Sequence, residues 1–295
     1  MSAQPALKSR SVRPMVDGEF VFTEDDFRKI AAMAHGDAGI ALHETKATLV
    51  YSRLAKRLRA LGLTSFQDYC ALVAGHDGVD ERQKMLAALT TNVTRFFREP
   101  HHFDHLRDKV LPPLLAAARG GGRVRLWSSA CSSGQEPYSM AMTVLSLAPD
   151  AANLDVKILA TDIDPNMVAE ARRGVYSLSL LAGMPDDLRR RWTTPVAGRP
   201  GEARIADEAR ALISFNELNL IGDWPMKGRF DAIFCRNVAI YFDDDTQARL
   251  WRRFAPLLPV GGALYIGHSE RVAGPATACF QPDGVTSYRL TREMG

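Results

Sequence analysis

The sequence predicts an α/β domain built on a parallel sheet, preceded by a small all-helical unit. Three observations carry that prediction. From Thr23 to about Leu89 the apolar residues recur at helical spacing. After Pro100, short apolar runs alternate with helical segments, the pattern of strands covered by helices on both faces. The loops that leave those runs are small or polar, as expected where strands end at a ligand crevice.

Taken in order, the first 19 residues, with scattered charges and prolines, read as a mobile tail on a cytoplasmic protein, since they lack the apolar run of a signal peptide or membrane span. The helical unit is placed at 20–89. Its first helix starts at Thr23 with acids in the first turn and is expected to stop at Gly36. In the second, Val50, Leu54, Leu58 and Leu61 share a face and Gly62 is the stop signal. Two further helical stretches, "SFQDYCALVAG" and "DERQKMLAALTTN", complete it. The α/β domain is placed at 90–295. Its strands are expected at Val124–Ser128, Val156–Ala160, Phe230–Cys235 and Gly262–Gly267. A stretch at about 176–214 does not fit the alternation; short extended pieces between Pro and Gly turns read as a small antiparallel β insert, with a disordered loop as the alternative.

Composition bounds the function. With 295 residues and 46% hydrophobic content the chain can bury a substantial core. The balance of 37 basic and 34 acidic residues leaves a formal charge of +3, which does not argue for nucleic acid. The four cysteines form no Cys-x-x-Cys pair, so reduced thiols are expected.

Three loops carry candidate chemistry. "ACSSGQEPYS" follows the first run; its small residues admit close approach of a ligand, and Pro137 pre-sets the helix that follows. It holds one glycine, Gly134, where a dinucleotide fingerprint has three, and many strand-to-helix turns look alike, so a plain turn stands beside the ligand reading. "VKILATDIDP" places Asp162 at the end of the second run, 28 residues past Gly134, where a carboxylate accepts hydrogen bonds from ribose hydroxyls and repels a 2′-phosphate. Helix capping is the alternative for both acids, preferred for Asp164 and not for Asp162. "RFDAIFCRNVAIYFD" ends a buried strand in Arg236 and Asn237, then Tyr241 and Phe242; turn-and-core explains it less well, because desolvated polar groups need partners. "HHFDH" puts His101 and His105 at a metal-binding spacing, but with no third ligand evident no metal is expected and the pair reads as solvated or capping. Cys131, with no base beside it, reads as a packing thiol.

"TTNVTRFFREPHHF", "WSSACSSGQEPYS", "ATDID", "FNELNL", "FCRNVAIYFD" and "GGALYIGHSE" follow in that order, and together they resemble the chemotaxis receptor glutamate O-methyltransferases, the CheR family. The likeness covers about Thr90 to Ser269 and is looser in the helical part. It implies a class I S-adenosylmethionine-dependent methyltransferase (Rossmann-like) sheet, S-adenosylmethionine as cofactor and S-adenosylhomocysteine as product, without a metal. It assigns cofactor contacts to Asn92, Thr94, Arg98, Glu136, Asp162, Asn219, Leu220, Arg236 and Asn237. Of these, Glu136 suits the ammonium, Asp162 the ribose diol and Leu220 the adenine. It places Arg98 and Tyr241 near the transferred methyl, as catalytic candidates. The departures, Ser132, Ser133 and Gln135 where relatives often carry Ala, Thr and Glu, and Ala239 for Met, are conservative.

The resemblance also implies partners. Lys46, Arg53 and Arg57, with Lys56 beside them, fall within a narrow arc of one helix, a basic face for an acidic helical segment of the receptor. Some relatives dock a tether at the receptor's C-terminus on the β insert. A same-fold methyltransferase acting on RNA or a small molecule, and a non-catalytic adaptor that senses the cofactor, stand as alternatives.

Overall fold

The structure, a computed structural model, describes residues 14–294. The chain separates into two compact units that divide between Thr90 and Thr91.

The first unit consists of α1 (Glu24–Ala38), α2 (Ala47–Leu61), α3 (Phe66–Ala74) and α4 (Val79–Leu89). Thr23 caps α1 through a reciprocal pair with Asp26, the Thr side chain accepting from the Asp26 amide and the Asp side chain from the Thr23 amide. The helix passes through Gly36 and stops at Gly39, whose φ of 69° supplies the left-handed closure that the expected stop does not. In α2, Val50, Leu54 and Leu58 are buried as their spacing requires, whereas Leu61 is 40% exposed. Phe22, Phe27, Tyr51 and Phe66 stack in this core. Of the expected mobile tail, residues 1–13 lie outside the described residues. The remainder is tied down: the Met15 amide donates to the Phe22 carbonyl at 2.8 Å, and Arg59 pairs with Glu19 at 2.9 Å.

The second unit opens with α5 (Pro100–His105) and α6 (Leu111–Arg119), joined by a π turn at Leu106–Val110. Pro112 and Pro113 explain the widened turn, since neither can donate to the carbonyl four residues back. The chain then alternates: β1 (Arg123–Ser128), α7 (Gln135–Leu147), β2 (Asp155–Asp162), α8 (Pro165–Arg173), β3 (Val175–Ser177), α9 (Leu178–Leu181), α10 (Asp186–Trp192), β4 (Thr193–Pro195), β5 (Glu202–Ile205), α11 (Asp207–Ala211), β6 (Ile213–Glu217), β7 (Ala232–Cys235), α12 (Asp244–Phe254), β8 (Ala263–Ile266), β9 (Phe280–Gly284) and β10 (Ser287–Leu290).

Seven strands form the main sheet in the order β6-β2-β1-β7-β8-β10-β9. The first five are parallel, and β10 runs antiparallel to β8 and β9. This is the mostly parallel, helix-flanked sheet expected from the sequence. Its side chains alternate between two cores: Leu126, Phe234 and Tyr265 face one, and Trp127, Ile233 and Leu264 the other. The chain moves outward from β1 through β2 to β6, then returns to the other side of β1 with β7. The switch point, where a parallel sheet opens a crevice at its carboxyl edge, therefore lies between β1 and β7.

A separate antiparallel sheet, β3-β5-β4, forms the insert. The expected range of 176–214 reaches too far at its end, because Ile213 and Ser214 belong to β6, opposite Ile158 and Leu159 of the main sheet. No helix among the described residues is long and apolar enough to cross a membrane.

Candidate active site at the carboxyl edge of the sheet

The loop after β1 is shaped by two residues in the left-handed region, Ser132 (φ 47°) and Gly134 (φ 99°). Only glycine fits the second position, since a Cβ there would lie 2.8 Å from both the Ala171 Cβ and the Tyr176 hydroxyl oxygen. The loop is fixed from two sides: the Tyr176 hydroxyl donates to the Ser133 carbonyl at 2.6 Å, and the Ser132 amide donates to Asp162 at 2.7 Å.

Asp162, at the end of β2, is 7% exposed and also accepts from the Asp164 amide at 3.0 Å. Burial raises its pKa, opposed by these backbone donors. A carboxylate offers about four acceptor sites, so these donors leave Asp162 capacity for a ribose hydroxyl. Asp164 caps α8 through the Asn166 amide at 2.9 Å, the role expected of it. Asn92 joins this group: its amide nitrogen donates to Asp164 at 3.1 Å, and its carbonyl accepts from the Ser132 hydroxyl at 3.2 Å. The loop after β6 arrives beside it, with the Leu218 amide donating to the Asp162 carbonyl at 2.9 Å. In that loop Asn219 accepts from the Ile221 amide at 3.0 Å, and Leu220 is buried in the core that faces α12.

A second group is organised by Arg236 at the end of β7. Its guanidinium is buried, donates to Glu136 Oε2 at 3.0 Å and to the backbone carbonyl of Arg98, and lies 3.4 Å from Glu99 Oε2. Glu136, in the first turn of α7, also accepts from the Ser128 hydroxyl at 2.7 Å. Burial raises the Glu136 pKa, while Arg236 and Ser128 pull it down. Arg98 is partly buried and donates through Nη1 to the Val93 carbonyl at 2.9 Å; Thr94 sits partly buried on the same segment. Asn237 (φ 58°) and Tyr241, which ends a 3₁₀ turn, follow Arg236 in the loop after β7.

The structure thus joins Asn92 to Asp162 through Ser132, and Glu136 to Arg98 through Arg236. Ser128 and Glu99 serve these networks without having been singled out from sequence, and Ser132, noted there only as a conservative departure, serves them too. The signal for Glu99 was only that it precedes Pro100; it takes φ 56° to turn the chain into α5.

The histidines need correction. His105 is neither solvated nor capping: Nδ1 lies 2.9 Å from the Tyr265 hydroxyl and Nε2 3.2 Å from Asp283. Among the described residues, the cluster with metal-ligand chemistry is instead Glu99, His101 and His102, whose ligand atoms lie within 4.8 Å of one another. Arg236 already places a fixed positive charge against Glu99 there, which a metal ion would have to overcome. Cys131 is buried in the core, which raises its thiol pKa well above the ordinary range.

The basic face also differs from expectation. Lys46 belongs to a 3₁₀ turn (Glu44–Lys46) ahead of α2. Arg53 donates to the carbonyls of Ala88, Leu89 and Thr90, capping the end of α4. Arg57 grips Glu81 with two hydrogen bonds of 2.8 and 2.7 Å. Lys46 and Lys56 are exposed.

Residues 92–288 match the family description "CheR methyltransferase, SAM binding domain", and residues 25–90 match "CheR methyltransferase, all-alpha domain". The chain belongs to the CheR methyltransferase family. It is 58% identical over 261 residues to a probable chemotaxis protein methyltransferase of Rhizobium etli, covering 88% of this chain and 97% of that one. It is 44% identical over 254 residues to chemotaxis protein methyltransferase 2 of Pseudomonas aeruginosa, covering 85% and 88%. With the chemotaxis protein methyltransferase of Escherichia coli it shares 40% over 272 residues, covering 90% and 91%. As a CheR methyltransferase with an S-adenosylmethionine-binding domain, the protein is an enzyme, and its carboxyl-edge crevice presents carboxylates in place of a glycine-rich phosphate cradle.

Proposed function

We propose that this enzyme transfers the methyl group of S-adenosylmethionine to glutamate side chains in the cytoplasmic helices of chemoreceptors, giving methyl esters and S-adenosylhomocysteine for sensory adaptation. The observation that carries the reading is the pair of buried carboxylates at the carboxyl edge of the sheet, Glu136 in the first turn of α7 and Asp162 at the end of β2. They match a ligand that offers an ammonium and a diol but no phosphate. S-adenosylmethionine supplies the activated methyl on its sulfonium.

Glu136 binds the ammonium, with Arg236 and Ser128 fixing its carboxylate. Asp162 takes the diol, Asn92, Thr94, Asn219 and Asn237 complete the polar lining, and Leu220 lines the adenine position. The attacking receptor carboxylate, with a reference pKa of about 4.3, is already ionised at neutral pH, so no general base is needed and alignment is the task. Arg98 spends one donor on Val93 and has others for the substrate carboxylate in a paired contact. Tyr241 borders the methyl through its ring or hydroxyl.

Receptor docking then rests on exposed Lys46 and Lys56, with Arg53 and Arg57 shaping that surface from within the unit. A receptor tether would dock on the β insert. The protein works in the cytoplasm, where the receptor helices are.

The test combines labelled S-adenosylmethionine, the protein and matched receptor fragments. Alkali-labile methyl esters are expected, and Arg98→Ala should abolish most turnover. Alkali-stable product, or no transfer to any fragment, overturns the reading.

A further inference from the structure

Glu270 lies in the "GHSE" stretch after β8, outside every role assigned above. It is 4% exposed, and its carboxylate faces backbone, not a basic side chain. Oε2 accepts from the amides of Asn237 at 3.0 Å and Gly267, and Oε1 from those of Val238 at 3.0 Å and Ile240 at 3.3 Å. Three of these four donors belong to the loop that carries Asn237 and Tyr241. That loop turns its amides inward because Asn237 is left-handed at φ 58°, the geometry of a backbone anion nest. Such nests elsewhere take phosphates; here the protein's own carboxylate fills it. Gly267 makes the approach possible, since a Cβ there would stand 2.5 Å from the Asn237 side-chain nitrogen and 2.8 Å from both its backbone nitrogen and Glu270 Oε2.

We infer that Glu270 is a positioning residue for methyl transfer: its carboxylate holds the Asn237–Tyr241 loop in the conformation that binds cofactor and aligns substrate. A free loop with Asn237 in the left-handed region would relax toward ordinary backbone angles, moving Asn237 and Tyr241 together. The inference rests on the proposed site and adds the group that preorganises it.

The experiment compares full-length variants by calorimetric S-adenosylmethionine affinity, turnover on a receptor fragment and unfolding midpoint. Glu270→Gln keeps shape but turns one acceptor into a donor facing amides. Affinity is expected to weaken at least about tenfold, the order of one charge-assisted hydrogen bond. The control is Asp231→Asn, which disturbs another partly buried carboxylate bonded to backbone, accepting from the Arg125 amide at 2.8 Å at the opposite end of β7. It should lower the midpoint without changing affinity. Glu270→Asp keeps the charge but draws it back by one methylene from the loop amides and should weaken affinity like Glu270→Gln, which decides the matter if the glutamine variant does not fold. If Asp162→Ala weakens binding while Glu270→Gln and Glu270→Asp bind as Asp231→Asn does, the positioning role is overturned and the site stands. If Asp162→Ala also binds normally, the site itself is wrong.

Discussion

Arg236 and Glu136 form a buried ion pair at the carboxyl edge of the sheet, Nη1 to Oε2 at 3.0 Å, with the residues 5% and 8% exposed. Arg236 also neutralises Glu99, so one cation serves two carboxylates and one backbone carbonyl. Removing it takes the buried cation from both acids and leaves Glu136 with the Ser128 hydroxyl. Arg236→Leu is expected to lower unfolding stability by about 3–5 kcal/mol in denaturant titration. Arg236→Leu/Glu136→Leu should recover part of that loss, whereas independent contributions would add.

Gly134 provides a sharper local test. Its φ of 99° and the 2.8 Å approach of Ala171 and Tyr176 leave no room for a methyl group. Gly134→Ala should cost about 1–3 kcal/mol and weaken cofactor affinity through the shifted loop. Gly183, with open space around its Cβ position, should tolerate Ala within about 0.5 kcal/mol. Equal losses for the two variants in denaturant titration would contradict this account.

In the helical unit, Arg57 and Lys56 are neighbours with opposite expected behaviour. Arg57 satisfies Glu81, which is 5% exposed and also accepts from the Tyr69 hydroxyl at 3.2 Å. Arg57→Ala should destabilise by about 3 kcal/mol, because Glu81 stays buried without its charge partner. Lys56→Ala should change stability by less than about 0.5 kcal/mol, yet slow association with an acidic receptor fragment at low salt. Stopped-flow binding against ionic strength separates the two.

Much of this architecture was legible because strand burial and helix spacing are local patterns. The four apolar runs became β1, β2, β7 and β8 with ends shifted by at most two residues. The β9/β10 pair escaped notice because β9 is a sheet edge that carries Pro282 and reads as a turn. The β6 strand was divided because "ISFNE" alternates weakly and follows only the short helix α11. At the site, Asp164 was readable as a cap from its neighbour Pro165. The partners of Arg57 and Arg236 were not, since Glu81 lies 24 residues away and Glu136 100 residues away. Periodicity places a charge on a face; it does not say what that face meets.

His102 gives the fold an acid limit. It is fully buried, and burial, with Arg236 and His101, lowers its pKa to about 3. A histidine with a folded pKa below its unfolded value of about 6.5 binds fewer protons when folded. Its contribution to stability is present above that value and drains as pH falls toward the folded one. His102→Gln, which cannot titrate, should flatten the loss of unfolding free energy between about pH 6 and pH 4 by up to about 1.4 kcal/mol per pH unit. Parallel curves for wild type and variant would place the acid sensitivity elsewhere.

Cofactor affinity should carry its own acid limb, and the two carboxylates should shape it differently. Burial raises both Glu136 and Asp162, so protonation begins above the ordinary carboxylate range. An ammonium requires Glu136 in its charged form, and each proton added there competes directly with binding. A diol donates to oxygen, and a neutral carboxyl at Asp162 still offers its carbonyl oxygen as acceptor. Glu136→Gln should therefore weaken S-adenosylmethionine binding at neutral pH and also flatten the acid limb. Asp162→Asn should weaken binding while leaving the limb that Glu136 creates. Calorimetric affinities from about pH 5 to pH 8 check this, and an unchanged slope in Glu136→Gln would remove that residue from the ammonium.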